Sequence, residues 1–160
     1  MEIQACDELG KAPYAYARAV ILIDTNVIID ARDPASRFRP WAQNILAHAL
    51  STEGLALNTI VLAELCIGHK TPEAIEAELR ADGLAILDLP AAASALCARA
   101  YTRYCLTRRK SAGGEAPHIP LSDFFIGAHA ELMGWKLATC DVERYRVYFP
   151  AIELIEPASG

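Results

Sequence analysis

Val20-Ile21-Leu22-Ile23-Asp24-Thr25-Asn26-Val27-Ile28-Ile29-Asp30 is the stretch that decides the fold. Four consecutive apolar residues, three of them β-branched, stop abruptly at Asp24. An apolar run without polar alternation reads as a strand buried on both faces, as inside a parallel sheet. In open α/β sheets the ligand site lies just beyond the carboxyl ends of the strands. Asp24 is therefore a candidate for the mouth of a site. The competing reading is a helix N-cap, since Asp and Asn are favoured there and an apolar run follows. Three further acids at similar transitions, Glu64, Asp123 and Asp141, favour the site.

Working outward, strands and helices alternate. Residues 26–31 predict a short helix stopped before Pro34, and Pro40 opens an amphipathic helix that runs to Leu50. A second strand over residues 55–59 leads into a helix over 60–68, which carries Glu64 among Leu62, Leu65 and Ile67. A carboxylate there is either on an exposed face or needs a partner, because an unpaired buried one is costly. A helix over 72–81 closes at Asp82-Gly83. A third strand over 84–89 precedes a long helix from Pro90 to about Arg109, with Ala93, Leu96, Cys97, Ala100, Tyr101 and Tyr104 as its buried stripe. Residues 111–120, with Gly113-Gly114, Pro117 and Pro120, read as a flexible surface loop near the site. Asp123 starts an apolar helix in which Gly127 and Ala128 permit close packing, and Gly134 ends it. The helix N-terminus favours a negative charge. A fourth strand over 136–141 ends in Asp141, a short helical segment covers 142–149, and residues 152–155 form an edge strand. This alternation indicates an α/β fold with a mostly parallel sheet between helices.

The chain of 160 residues supports one domain with a genuine core. Residues 20–156 form it, residues 1–19 read as a loosely ordered extension, and 157–160 as a tail. No apolar run is long enough to span a membrane, and Glu2, Asp7 and Glu8 stand where a signal peptide would be basic. Five cysteines without a C-x-x-C pair argue for reduced thiols and a cytoplasmic protein. His48, His69, His118 and His129 show no metal-ligand spacing and read as surface or partly buried residues. The net charge of −5 disfavours a general nucleic-acid coat protein, although an acidic site would account for much of it.

No dinucleotide or phosphate-loop glycine motif and no G-x-S-x-G is present. If the parallel strands gather Asp24, Glu64, Asp123 and Asp141, their repulsion demands a partner. Hard oxygen ligands select Mg²⁺ or Mn²⁺. Such an ion activates water and stabilises charge building on a phosphodiester. Arg99, Arg103, Arg144 and Arg146 are either solvated-face residues or phosphate contacts.

Asp24-Thr25-Asn26, Ala63-Glu64-Leu65, the segment from Ser122-Asp123-Phe124 to Ala130 and Thr139-Cys140-Asp141-Val142-Glu143-Arg144-Tyr145 resemble PIN-domain ribonucleases. The resemblance is nearest to VapC-type toxins of bacterial toxin–antitoxin pairs. It runs from about residue 20 to 156, and its last two motifs are the most specific. It implies a PIN-like fold with Asp24, Glu64, Asp123 and Asp141 as the acidic metal site. Asp24 and Asp123 would be direct ligands, Glu64 and Asp141 direct or water-mediated ones, and Asn26 and Thr139 supports. It also implies a Mg²⁺-dependent endoribonuclease acting on RNA, a VapB-type antitoxin and a homodimer. Cys140 stands where an Arg is common in the family. Two other readings stay open: a catalytically inactive PIN-like module that binds RNA or a protein, and, more remotely, a receiver-type phosphorylation domain. The latter wants a Lys after a late strand, whereas Lys136 precedes the fourth.

Overall fold

The structure is a computed structural model that describes residues 20–52, 54–112 and 121–158. The expected extension over 1–19, most of the loop over 111–120 and His118 lie outside the described residues.

Among the described residues the fold is one five-stranded parallel sheet with seven helices. Its elements run β1 (Ile21–Ile23), α1 (Thr25–Arg32), α2 (Arg39–Thr52), β2 (Leu55–Asn58), α3 (Thr59–Cys66), α4 (Pro72–Ala81), β3 (Ala85–Leu87), α5 (Ala93–Ala112), α6 (Ser122–Met133), β4 (Lys136–Ala138), α7 (Val142–Tyr148) and β5 (Leu154–Ile155). The strand order is β3-β2-β1-β4-β5, and every pairing is parallel. Each position of β1 and β2 is buried. Helices cover both faces of such a sheet, which is why Val20 to Ile23 can be apolar without alternation.

This order fixes where the site lies. The chain builds outward from β1 through β2 to β3, then returns to lay β4 on the other side of β1. The crevice at the carboxyl ends of β1 and β4 is the point where the order reverses, the place where such sheets bind ligands. Ile21, Leu22 and Ile23 lie opposite Lys136, Leu137 and Ala138, and the Asp24 N–H donates to the Ala138 carbonyl at 3.0 Å. The register therefore carries Asp24 and Thr139 together into that crevice.

Local chemistry sets the element ends. Asn58 caps α3, its Oδ1 accepting from the N–H groups of Ile60 and Val61 at 3.1 Å each. Pro72 opens α4, and Gly83, with φ of 89°, provides the left-handed turn that closes it. The long helix begins three residues later than Pro90 suggests, because a turn from the Pro90 carbonyl to the Ala93 N–H comes first. Close packing of α6 depends on Gly127: a Cβ there would lie 2.6 Å from ring carbons of Phe149. Phe124 of α6 joins Tyr101, Tyr104, Tyr148 and Phe149 in one aromatic cluster, with its ring centroid 5.3 Å from that of Tyr101 in an edge-on arrangement.

One histidine departs from its sequence reading. His129 is fully buried, set against Trp135 with ring centroids 5.5 Å apart and with Nδ1 3.4 Å from the Asn58 amide. Burial lowers its pKa to about 4, so the imidazole is a neutral core group. Cys66, Cys97, Cys105 and Cys140 are free thiols. Among the described residues no helix is long and apolar enough to cross a membrane.

Candidate active site

Asp24 leaves β1 directly into α1 and serves both roles that its sequence context allows. Its Oδ1 accepts the Thr25 N–H at 2.8 Å, capping α1. Its Oδ2 accepts from Asn26 Nδ2 at 2.8 Å, Thr139 Oγ1 at 2.7 Å and Tyr145 OH at 3.3 Å. The side chain is only 4 % exposed. Oδ2 is thus saturated by protein donors, whereas Oδ1 keeps acceptor capacity. Burial raises the Asp24 pKa and the charge of Glu64 raises it further, while hydrogen bonds from Thr139, Thr25 and Tyr145 pull it down. A desolvated carboxylate beside another acid is a place where a cation is strongly favoured.

Asn26 and Thr139 hold this carboxylate from two elements. Thr139 Oγ1 donates to Asp24 and accepts from Asn26 Nδ2 at 3.1 Å and from the Asp141 N–H at 3.1 Å. Asn26 Oδ1 accepts the Cys140 N–H at 3.0 Å. The start of α1 and the end of β4 are laced into one network by the two residues that the family resemblance marks as supports.

The other acids stand around this centre. Glu64, half-buried on α3, accepts from the Thr25 hydroxyl through Oε2. Asp123, in the first turn of α6, forms an ion pair with Arg144 of α7. Asp141, at the N-cap of α7, is exposed. Among the described residues no three His, Cys, Asp or Glu side chains are gathered tightly enough to hold a metal ion. Asp123 is engaged by Arg144, and Glu64 by the Thr25 hydroxyl. In donor chemistry, however, the site fits a hard divalent cation. Its acids offer carboxylate oxygens alone, and the one nearby thiol, Cys140, is pushed up to about 12 by burial, its hydrogen bond to Asp30 and the charges of Asp30 and Asp24.

Of the four arginines, Arg144 is tied to Asp123. Arg146 pairs with Glu156, and Arg103 donates to the Tyr148 carbonyl at 2.6 Å. Arg99 is exposed on α5. Sequence reasoning passed over three participants. Thr25 engages Glu64, and Tyr145, whose own pKa is raised well above normal by burial and then by Asp24, donates to Asp24. Asn58 links the cap of α3 to His129. A buried Tyr at the centre of a seven-residue helix is a recognisable signal, since a buried phenol needs a hydrogen-bond partner.

Comparison with known proteins gives the following. The PIN domain family model matches residues 21–150. No curated protein matches the chain. Among solved structures, it is similar to DNA-bound VapBC from Salmonella typhimurium, with a TM-score of 0.61 and 20% identity over 86% of this chain and 98% of the other. It is also similar to VapBC2 from Rickettsia felis bound to a promoter DNA fragment, with a TM-score of 0.57 and 22% identity over 86% and 98% of the two chains. A third is VapC20 from Mycobacterium tuberculosis, a sarcin-ricin loop cleaving toxin, with a TM-score of 0.53 and 17% identity over 83% and 98%. At these identities the structural similarity speaks to the fold.

Proposed function

This chain belongs to the PIN domain family, and from that premise we propose that it is a Mg²⁺- or Mn²⁺-dependent endoribonuclease toxin of the VapC type. The observation that carries the reading is Asp24: a carboxylate buried at the β1/β4 switch point, fixed by four donors and lying beside Glu64. Four hydrogen bonds to one side chain are an investment in its position, and an anion placed there needs a counter-charge.

Asp24 through Oδ1, Glu64, Asp123 after release from Arg144, and Asp141 would hold the ion. Bound there, a divalent cation supplies Lewis acidity toward a water and a phosphodiester oxygen. The chain's own residues supply the rest. Asn26 and Thr139 aim Asp24, and the Thr139 hydroxyl favours its ionised form. Glu64 has one carboxylate oxygen committed to Thr25 and the other available to take a proton from the attacking water. Arg144, once parted from Asp123, presents its guanidinium to a phosphate. This reading includes RNA as substrate, a VapB-type antitoxin as partner, a homodimer and a cytoplasmic setting. VapBC complexes among the structural relatives support the antitoxin, and the free thiols suit a reducing compartment.

The purified chain, free of any partner, is to be incubated with total RNA and Mg²⁺ or Mn²⁺ beside Asp24→Asn, Glu64→Gln and a chelator control. Discrete products that vanish in all three controls are expected. The Asp123–Arg144 ion pair favours one rival, a PIN-like binding module without catalysis. RNA bound but left intact by folded, metal-supplemented protein would establish that rival.

A further inference from the structure

A cleft of ≈ 710 Å³ reaches the acidic centre at Cys140 and is lined by Arg37, Phe38, Trp41, Glu156 and Pro157 among other residues. Its volume lies in the range of about 300–1,000 Å³ typical of small-ligand sites. We infer that this cleft receives an unpaired nucleobase of the RNA strand next to the phosphate at the acidic centre, an inference that rests on the nuclease reading above.

Three observations point to a base. The Arg37 guanidinium lies over the Phe38 ring, 4.5 Å from its centroid, and the half-buried indole of Trp41 lines the same space. Aromatic faces and stacked guanidinium planes are the surfaces on which unpaired bases are held. The cleft is also continuous with the site. Cys140 lines it, the Cys140 N–H is bonded to Asn26 at 3.0 Å, and Asn26 in turn holds Asp24. The cleft and the acidic centre thus share the Cys140–Asn26 connection, so a strand bound at one has the other next to it. Finally, the rim suits a nucleotide. Arg37 is exposed and available to a phosphate, while Glu156, paired with Arg146, offers a carboxylate acceptor to base amino and imino groups. A base held in a duplex could not enter, so the cleft would select single strands, loops or flipped-out nucleotides.

The test uses the full chain carrying Asp24→Asn to prevent cleavage, and single-stranded RNA decamers with one 2-aminopurine scanned along the strand. Affinity is read by anisotropy and stacking by 2-aminopurine quenching, beside the same sequence as a duplex. Arg37→Ala and Trp41→Ala should each weaken single-strand binding by about 5-fold or more, since stacking of one base is worth at least that much. They should also abolish the quenching at one position of the scan. Trp41→Phe, which retains an aromatic face, should bind within about 2-fold of its parent. The exposed Arg37→Ala keeps the test valid if Trp41→Ala unfolds. Single-strand affinity and quenching unchanged in both alanine variants would overturn the cleft assignment, including the case in which a partner protein's side chain fills it, while cleavage of the same RNA by the wild-type chain with Mg²⁺ or Mn²⁺ would leave the nuclease reading standing. Variant-sensitive binding in the Asp24→Asn background without any cleavage by the metal-supplemented wild-type chain would uphold the cleft and remove the nuclease.

Discussion

Replacing Asp24 separates what its shape contributes from what its charge contributes. In Asp24→Asn the amide oxygen can take the place of Oδ2, keeping the bonds from Asn26, Thr139 and Tyr145. The amide NH₂ then faces the Thr25 N–H, and the cap of α1 is lost. That loss costs about 1 kcal/mol, while removing a buried charge gives back a comparable amount. The variant should unfold within about 4 °C of wild type at pH 7, since ~1 kcal/mol moves the midpoint by roughly 2–4 °C at this chain length. Asp24→Ala is different. It removes the cap and leaves Tyr145 OH and part of the Asn26–Thr139 pair without an acceptor, at about 1–3 kcal/mol for each buried orphan. A net loss of ~3 kcal/mol lowers the midpoint by roughly 6–12 °C. The pH dependence has a definite sign. The raised Asp24 pKa means that the folded wild type takes up a proton more readily than the unfolded chain, so its stability rises as pH falls through that raised pKa. Any advantage of Asp24→Asn should shrink over the same range. Thermal unfolding of the three proteins from neutral pH down toward the ordinary carboxylate pKa checks this. An Asp24→Asn midpoint as low as that of Asp24→Ala would refute the assignment of three bonds to Oδ2.

Other perturbations test separate parts of the molecule. Arg144→Gln frees Asp123 from its ion pair, and because such a partly exposed pair is worth ~1 kcal/mol at most, calorimetry should show Mn²⁺ binding tighter by up to about 5-fold. Gly127→Ala drives a methyl into the Phe149 ring, an overpacking that costs about 1–3 kcal/mol and should appear as a lowered unfolding midpoint. His129, with its pKa lowered to about 4 from 6.5, binds fewer protons folded than unfolded between those values. It therefore contributes stability that is fully present above pH 6.5 and lost as pH falls toward 4, about 3 kcal/mol in all. His129→Gln should flatten denaturant midpoints measured across that window, and an unchanged slope would mean that the imidazole is not the group responsible.

Much of the architecture was legible because it rests on local chemistry. The apolar, β-branched run before Asp24 read as a buried strand and is one, and Pro72 with Gly83 bracketed α4 at its observed ends. Gly134, at φ 64°, ended α6 as read. The late start of α5 escaped notice because Pro90 is as suited to a turn as to a helix. The acids proposed for the site can be picked out in the sequence, but their contacts cannot. Tyr145 reaches Asp24 across 121 positions and Glu64 reaches Thr25 across 39. The pairing of Asp123 with Arg144 depends on how α6 and α7 pack. Such approaches follow from the β1/β4 register and helix packing, which no local pattern encodes. His129 entered the core for the same reason: the neighbours that desolvate it, Trp135 and Asn58, come from different elements.

The central claim is that the carboxylates around Asp24 form a divalent-cation site. A calorimetric titration of Mn²⁺ into the folded, chelator-stripped chain, repeated with Asp24→Asn, addresses it most directly. The account predicts saturable binding to wild type that Asp24→Asn loses while remaining folded. Wild-type protein that takes up no Mn²⁺, or Asp24→Asn that binds it equally well, would contradict the account.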